Sequence, residues 1–377
     1  MYQNIYVNRA DYMVHLWDDS GKHSVFPYEK YGYIIDPNGQ NITMNGLKVK
    51  KVKNWSKEAE KEGMVFEGDV RAETRVLIDR YFESDEPSKN HRILFLDIEI
   101  VKGEKYSKPV EALNVINSIA YYKSSNSKYY CLILDEENRI ENKIIDGVDL
   151  RRFDSEEELL LAFMDDYQDF GPTILTSWNG DSFDLPYLYK RMINLFGEET
   201  ANRLSPIGII EDRLAGVGKR RDYAIKIAGV SQLDYLLLYK NYTYNEEPRY
   251  TLDAISKKEL GRGKVEYEGS LDDLFRDDID KFIKYNVSDV ELLVAMDKKL
   301  DFIEIARGIC HKGHVPYEDF SMSSRFLDGA ALVYCKKNGL VASGVQSDER
   351  GLAQGAFVKP PQPGLYEFIF DCDASSL

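Results

Sequence analysis

At 377 residues the chain is too long for one ordinary domain, and two or three are expected. With 43% hydrophobic and 30% charged residues it has the balance of a soluble globular protein, which excludes a collagen-like or low-complexity chain. A net charge of −15 excludes a generally basic nucleic-acid-binding surface, although a local groove is still open to it, because carboxylates that recruit divalent metals are acidic and still serve DNA chemistry.

Residues 1–90 read as a β-rich domain. Apolar and polar residues alternate over 5–35 around the Asp18-Asp19-Ser20-Gly21 turn, a hairpin signal. A short helix is expected over 55–64. The lysines of 48–53 and the basic residues 219–221 suit either a backbone contact or a solvated strand edge. The polar, proline-bearing stretch 83–91 is the first boundary.

Residues 91–100 form a short apolar run suited to a buried strand, and 115–124 and 128–136 suit further strands. Ser155 with Glu158 proposes a capping box for a helix over 156–170, which Gly171-Pro172 ends. Residues 173–178 read as another buried strand, and 182–197 as a helix with Gly197 at its C-cap. A long hairpin is expected over 207–230 and helix over 278–306. Another helix follows at 323–339, then a glycine-rich linker and a strand-like 365–373. The fold class is α/β (α+β), a mixed layered fold. Acidic runs at 154–158 and 271–280 read as solvated helix faces. Cys131, Cys310, Cys335 and Cys372 lie too far apart for a zinc site and read as free thiols. His311 and His314 have no cysteine or carboxylate partner nearby. With no signal pattern and no apolar run long enough for a bilayer, a cytoplasmic protein without membrane contact is expected.

Three elements carry chemistry. Asp97 and Glu99 lie two apart on a predicted strand, so they share one face, and a hard divalent cation would relieve their repulsion. A D-x-E pair alone is a weak signal, more often a pair of exposed or salt-bridged carboxylates. Asp184 falls in the first turn of a predicted helix, where the dipole favours a carboxylate and where a plain helix start would also put one. Tyr285 and Asp289 stand i, i+4 on one helix face, a spacing common in ordinary helices.

Taken together and in order, F-x-D-I-E (95–99), N-x-x-x-F-D (179–184) and Y-x-x-x-D (285–289) resemble the three exonuclease motifs of proofreading DNA polymerases. Stretches 174–187, 196–206, 250–256, 285–290 and 354–360 are similar to the family B DNA polymerases of T-even-type bacteriophages, with the N-terminal ninety residues least similar. The resemblance implies a ribonuclease-H-like exonuclease domain over 91–304, a β-rich domain over 1–90 completed by 305–345, and the incomplete start of a polymerase palm over 346–377. It implies 3′→5′ exonuclease activity. Asp97, Glu99, Asp184 and Asp289 would hold two Mg²⁺ ions (Mn²⁺ as substitute) about 3.5–4 Å apart. Tyr285 would orient the attacking water. Phe183 and Tyr106 would stack on the terminal bases, with tyrosine at 106 where the relatives carry phenylalanine. Asn179 and Lys264 are further DNA contacts, and the 207–230 hairpin would separate strands.

Residues 370–377 match the opening of the palm motif D-x-x-S-L-Y-P, with Asp373 at its metal-binding aspartate and Ser376 and Leu377 following. No DNA synthesis is expected from this chain alone, and an end inside that motif favours a polymerase encoded as two chains over a cut one. Implied partners are single-stranded and primer–template DNA, a C-terminal polymerase chain, and, through the whole polymerase, a sliding clamp and single-strand-binding protein. A non-catalytic scaffold for a polymerase chain and a free-standing exonuclease are the competing readings.

Overall fold

The computed structural model describes residues 1–56, 58–59, 64–103, 105–217, 220–342 and 364–367, without the side chains of 213–222. Half of the helix expected at 55–64, the hairpin tip, the glycine-rich linker, Cys372, Asp373 and all but residues 365–367 of the strand-like 365–373 lie outside the described residues.

The chain opens with seven strands: β1 (Tyr2–Val7), β2 (Met13–Asp18), β3 (His23–Pro27), β4 (Gly32–Ile35), β5 (Asn41–Thr43), β6 (Lys48–Val52) and β7 (Val65–Phe66). Helix α1 (Ala72–Tyr81) follows. Then come β8 (Ile93–Ile100), β9 (Ile116–Lys123), β10 (Lys128–Leu134), β11 (Lys143–Ile145), β12 (Val148–Phe153), α2 (Glu156–Phe170), β13 (Ile174–Thr176), α3 (Asp184–Phe196) and α4 (Glu198–Ala201). The hairpin β14 (Ile210–Val217) and β15 (Arg220–Ile227) precedes β16 (Ser231–Gln232). Helices α5 (Tyr235–Tyr242), α6 (Leu252–Leu260), α7 (Leu271–Asp277), α8 (Ile279–Leu300), α9 (Phe302–Gly313) and α10 (Ser323–Lys337) lead to β17 (Leu340–Val341).

The central sheet has the order β11-β12-β10-β9-β8-β13-β16. Strands β8, β9 and β10 pair antiparallel, whereas β13 joins β8, and β12 joins β10, in parallel. Even-numbered Leu94, Leu96 and Ile98 pack into the core beneath α2 and α3, while Phe95 packs into the core beneath α8. Apolar side chains on both faces account for the near-continuous hydrophobic run of β8. This mixed sheet with helices on both faces is the layered α/β arrangement expected.

Local signals hold in most places. Of the capping box expected at Ser155 and Glu158 only the first half forms, Ser155 Oγ accepting from the Glu158 N–H at 3.2 Å, and Gly171 ends α2 at φ 56. Three expectations need correction. The helical run 278–306 is two helices, because Asp301 adopts φ 57 and ends α8. The lysine strand β6 is no sheet edge, since it pairs with both β4 and β5; Lys51 lies over the Tyr31 ring and Lys53 pairs with Glu29. The acidic run 154–158 is not wholly solvated. Glu156 is 6% exposed, pairs with Arg191 through both oxygens (2.8 and 2.6 Å) and accepts from the Ile116 N–H.

His311 and His314 are structural. The Ser88 N–H donates to His311 Nε2 at 3.1 Å, and Tyr317 hydroxyl, Ser88 hydroxyl and His91 complete a buried polar knot tying β1, the 83–91 segment and α9. Burial, then Arg307, push His91 down to about 2 and His311 to about 3. Both folded values lie below the unfolded one, so this stability is present above about pH 6.5 and is lost as the pH falls. The histidine contribution, read as the stability difference between the wild type and His311→Asn, should therefore fall between pH 6.5 and pH 4.5 by up to about 1.4 kcal/mol per pH unit. A His311→Asn variant with the wild-type slope would contradict this.

Candidate active site

The pleat of β8 sends Asp97 and Glu99 toward α8, the side occupied by Phe95. On α8, Tyr285, Asn286 and Asp289 are all buried against the sheet. One oxygen from each of Asp97, Glu99 and Asp289 lies within 4.8 Å of the others. Two oxygens on one divalent ion, each about 2.0–2.6 Å from it, cannot be more than about 5 Å apart, so this spacing fits a shared cation. Asp289 is 2% exposed and its Oδ1 has no hydrogen-bond partner, a buried polar atom that a cation would satisfy.

Asp184 arrives from the β13–α3 loop. It opens α3, is 4% exposed, and its Oδ1 accepts the Ile98 N–H at 3.2 Å, the amide lying between Asp97 and Glu99. Two features shape the loop. A Cβ on Gly180 would lie 1.5 Å from Ser177 Oγ, so only glycine fits. Asp234, at the N-cap of α5, accepts the N–H groups of Asn179 (3.1 Å) and Asp181 (3.2 Å). Asn179 itself is exposed, with φ 66.

Burial raises the Asp97 carboxyl well above its ordinary range, and Glu99, Asp289 and Asp184 raise it further. Burial and Asp289 push Glu99 up to about 8. Burial brings Asp184 to about 7 and Asp289 to about 6; the Lys264 ammonium holds the latter down. Glu99, Asp184 and Asp289 favour the metal-free fold while protonated, below about pH 4, and that contribution is lost as the pH rises through 6–8. A divalent ion takes the place of the protons. Mg²⁺ is therefore expected to raise Tm over an EDTA control by roughly 2–4 °C at pH 8 and far less at pH 5.5. Equal shifts at both pH values would exclude the carboxylate cluster as the site.

Lys264 lies closer to the centre than a peripheral DNA contact would. Its Nζ is 2.5 Å from Asp289 Oδ2 and 3.1 Å from the Tyr285 hydroxyl. Its backbone N–H donates to Asp253 Oδ1 at 3.0 Å, which fixes the α6–α7 loop over α8. Burial pulls the ammonium down, but Asp289, Tyr285 and Asp97 more than offset this and keep it charged. Burial and Asp289 hold the Tyr285 hydroxyl above its usual range, hence protonated. At the rim, Tyr106 and Phe183 stack with ring centroids 6.0 Å apart and planes 20° apart, Tyr106 being 46% exposed.

Comparison with known proteins decides the family. The model of the exonuclease domain of DNA polymerase family B matches residues 40–255, more than half of the chain. The chain belongs to DNA polymerase family B. The polymerase relatives include the DNA-directed DNA polymerase of Escherichia phage RB69, 31% identical over 86% of this chain and 38% of its own length. That of Enterobacteria phage T4 is 27% identical over 87% of this chain and 39% of its own. DNA polymerase 1 of Saccharolobus solfataricus is 34% identical over 57% and 23%. The chain thus spans less than two fifths of the length of these polymerases. Its ribonuclease-H-like sheet is that of the family's exonuclease domain. The family match stops before Lys264, Tyr285, Asn286 and Asp289, whose grouping rests on geometry. Among the described residues no helix is long and apolar enough to cross a membrane.

Sequence reasoning underrated Lys264 and missed Asn286, Ser118 and Asp234. Asn286 had one signal, a polar residue three before Asp289 on the buried face of a helix.

Proposed function

We propose that the chain is the 3′→5′ proofreading exonuclease portion of a DNA polymerase, with Asp97, Glu99, Asp184 and Asp289 holding two Mg²⁺ ions. One observation carries the reading: carboxylates from a strand (Asp97, Glu99) and a distant helix (Asp289) converge within a divalent ion's reach, with one buried oxygen unpartnered. When bound, such ions supply Lewis acidity, lowering the pKa of water and offsetting charge on a phosphate. The chain's own groups do the rest. Tyr285, kept protonated, offers its hydroxyl to the attacking water or the scissile phosphate. Lys264 holds that hydroxyl and presents positive charge to the phosphate. Phe183 and Tyr106 grip the terminal base by stacking, which suits any sequence. Asn179 extends from the same loop toward the DNA.

The same reading makes 91–304 the exonuclease domain, 1–90 with 305–345 the N-terminal domain, and 346–377 the start of the palm, with Asp373 in the polymerase site. Strand β17 supports the second assignment, because it pairs with β5. The 207–230 hairpin would part primer from template. Synthesis, a C-terminal polymerase chain, a sliding clamp and single-strand-binding protein would belong to the whole polymerase acting in the cytoplasm.

An oligonucleotide labelled at either end tests the polarity. With Mg²⁺, a 3′ label should leave at once as mononucleotide, while 5′-labelled strands shorten one nucleotide at a time. Release of the 5′ label first, or no digestion, would overturn the proposal.

A further inference from the structure

We infer that Asn286 and Ser118 are positioning residues: together they set the orientation of the Asp97 carboxylate and so govern divalent-ion affinity, a role that rests on the nuclease reading above. Three elements meet here. Asn286 Nδ2, on α8, donates to Asp97 Oδ2, on β8, at 2.6 Å. Ser118 Oγ, on β9, donates to Asn286 Oδ1 at 2.7 Å. Asn286 and Ser118 are both 0% exposed, and Ser118 stands directly opposite Glu99 in the β8–β9 register.

The chemistry fixes the direction of the chain of bonds. An ionised Asp97 can only accept, so the amide must turn its NH₂ toward the carboxylate and its oxygen toward Ser118. The other acceptors near Ser118 are farther away, Leu132 O at 3.3 Å and Cys131 Sγ at 3.6 Å, which leaves Asn286 Oδ1 as the best one for the hydroxyl proton. The terminal torsion of an aspartate is otherwise broad and nearly two-fold, and a ligand free to rotate must be ordered when the ion arrives. A neutral amide orders it without adding charge. A lysine in its place would compete with the cation, and a carboxylate would add a further repulsion. Asn286 also sits three residues before Asp289, so one rigid helix both supplies a carboxylate and aims another on a different element. Lys264 serves Asp289 in a different way, since its charge opposes the ion.

The test reads metal binding without DNA. Mn²⁺ is titrated into the metal-free full chain and followed by calorimetry and by the electron paramagnetic resonance of the free ion. Asn286→Ala should weaken binding by about 10–100-fold, and Ser118→Ala, which removes only a hydroxyl and guards against a folding failure of the first variant, by a smaller factor. In digestion assays both variants should raise the Mg²⁺ concentration for half-maximal rate and recover most of the wild-type rate at saturating Mg²⁺. Wild-type Mn²⁺ affinity in both variants, beside an active wild-type chain, would overturn the relay and leave the nuclease reading intact. Weakened Mn²⁺ binding in the variants, beside a wild-type chain that binds Mn²⁺ and digests nothing, would uphold the relay and sink the nuclease reading.

Discussion

Replacing Asp97 and Glu99 together by alanine is expected to lower the rate of 3′-terminal digestion by about 10³-fold or more, and to raise the Tm of the metal-free protein at pH 8 by roughly 2 °C. The two effects have one cause. The pair sits where Asp184 and Asp289 are already crowded, and each carboxyl is displaced upward by burial and by its acidic neighbours. Without metal, ionising them at pH 8 works against the fold, so their removal relieves repulsion. With metal they hold the charge that the chemistry needs, and losing about 4 kcal/mol of transition-state stabilisation is on the order of 10³ in rate. Single-turnover digestion and calorimetry in EDTA measure the two halves. A double variant that is inactive and also less stable at pH 8 would point to a structural role for the pair.

Lys264→Met separates charge from volume. The variant should digest about 10²-fold more slowly at saturating Mg²⁺, as expected on losing one well-placed donor to developing charge. Its Mg²⁺ requirement should nevertheless fall, because the ammonium 2.5 Å from Asp289 Oδ2 opposes a second cation at the same carboxylate. Asn286→Ala is expected to change the Mg²⁺ requirement in the opposite direction. Metal-free stability should drop by about 2 kcal/mol, less than for a fully buried pair, since Lys264 is 29% exposed and solvent screens part of the interaction. A raised Mg²⁺ requirement in Lys264→Met would contradict that opposition.

The sequence revealed the carboxylates and not the groups that hold them, for a physical reason. Asp97 and Glu99 announce themselves by strand period, Asp184 by its place in a first helical turn, and Tyr285 with Asp289 by helical period; all are local regularities. Ser118–Asn286–Asp97 joins residues 168 and 189 positions apart, and no local period encodes such a contact. Lys264 looked peripheral because its loop has no regular structure; the Asp253 clamp and the packing of Tyr267 on Tyr285 help carry it over α8. The same limit explains Glu156, whose place in an acidic run suggested solvent until Arg191 was brought beside it by α3. Helix ends were more legible at Gly171 than at Asp301, where a non-glycine residue takes the left-handed conformation. The full capping box lies at Ser270 and Asp273, where the acidic run had read simply as a solvated face.

Anomalous scattering from crystals grown with Mn²⁺ and a short single-stranded oligonucleotide would show whether Asp97, Glu99, Asp184 and Asp289 form a divalent-ion centre at a DNA 3′ end. Two manganese peaks are predicted about 3.5–4 Å apart among these four carboxylates, with the 3′-terminal phosphate beside them and its base against Phe183. Peaks elsewhere, or a 3′ end bound away from these carboxylates, would contradict the proposal.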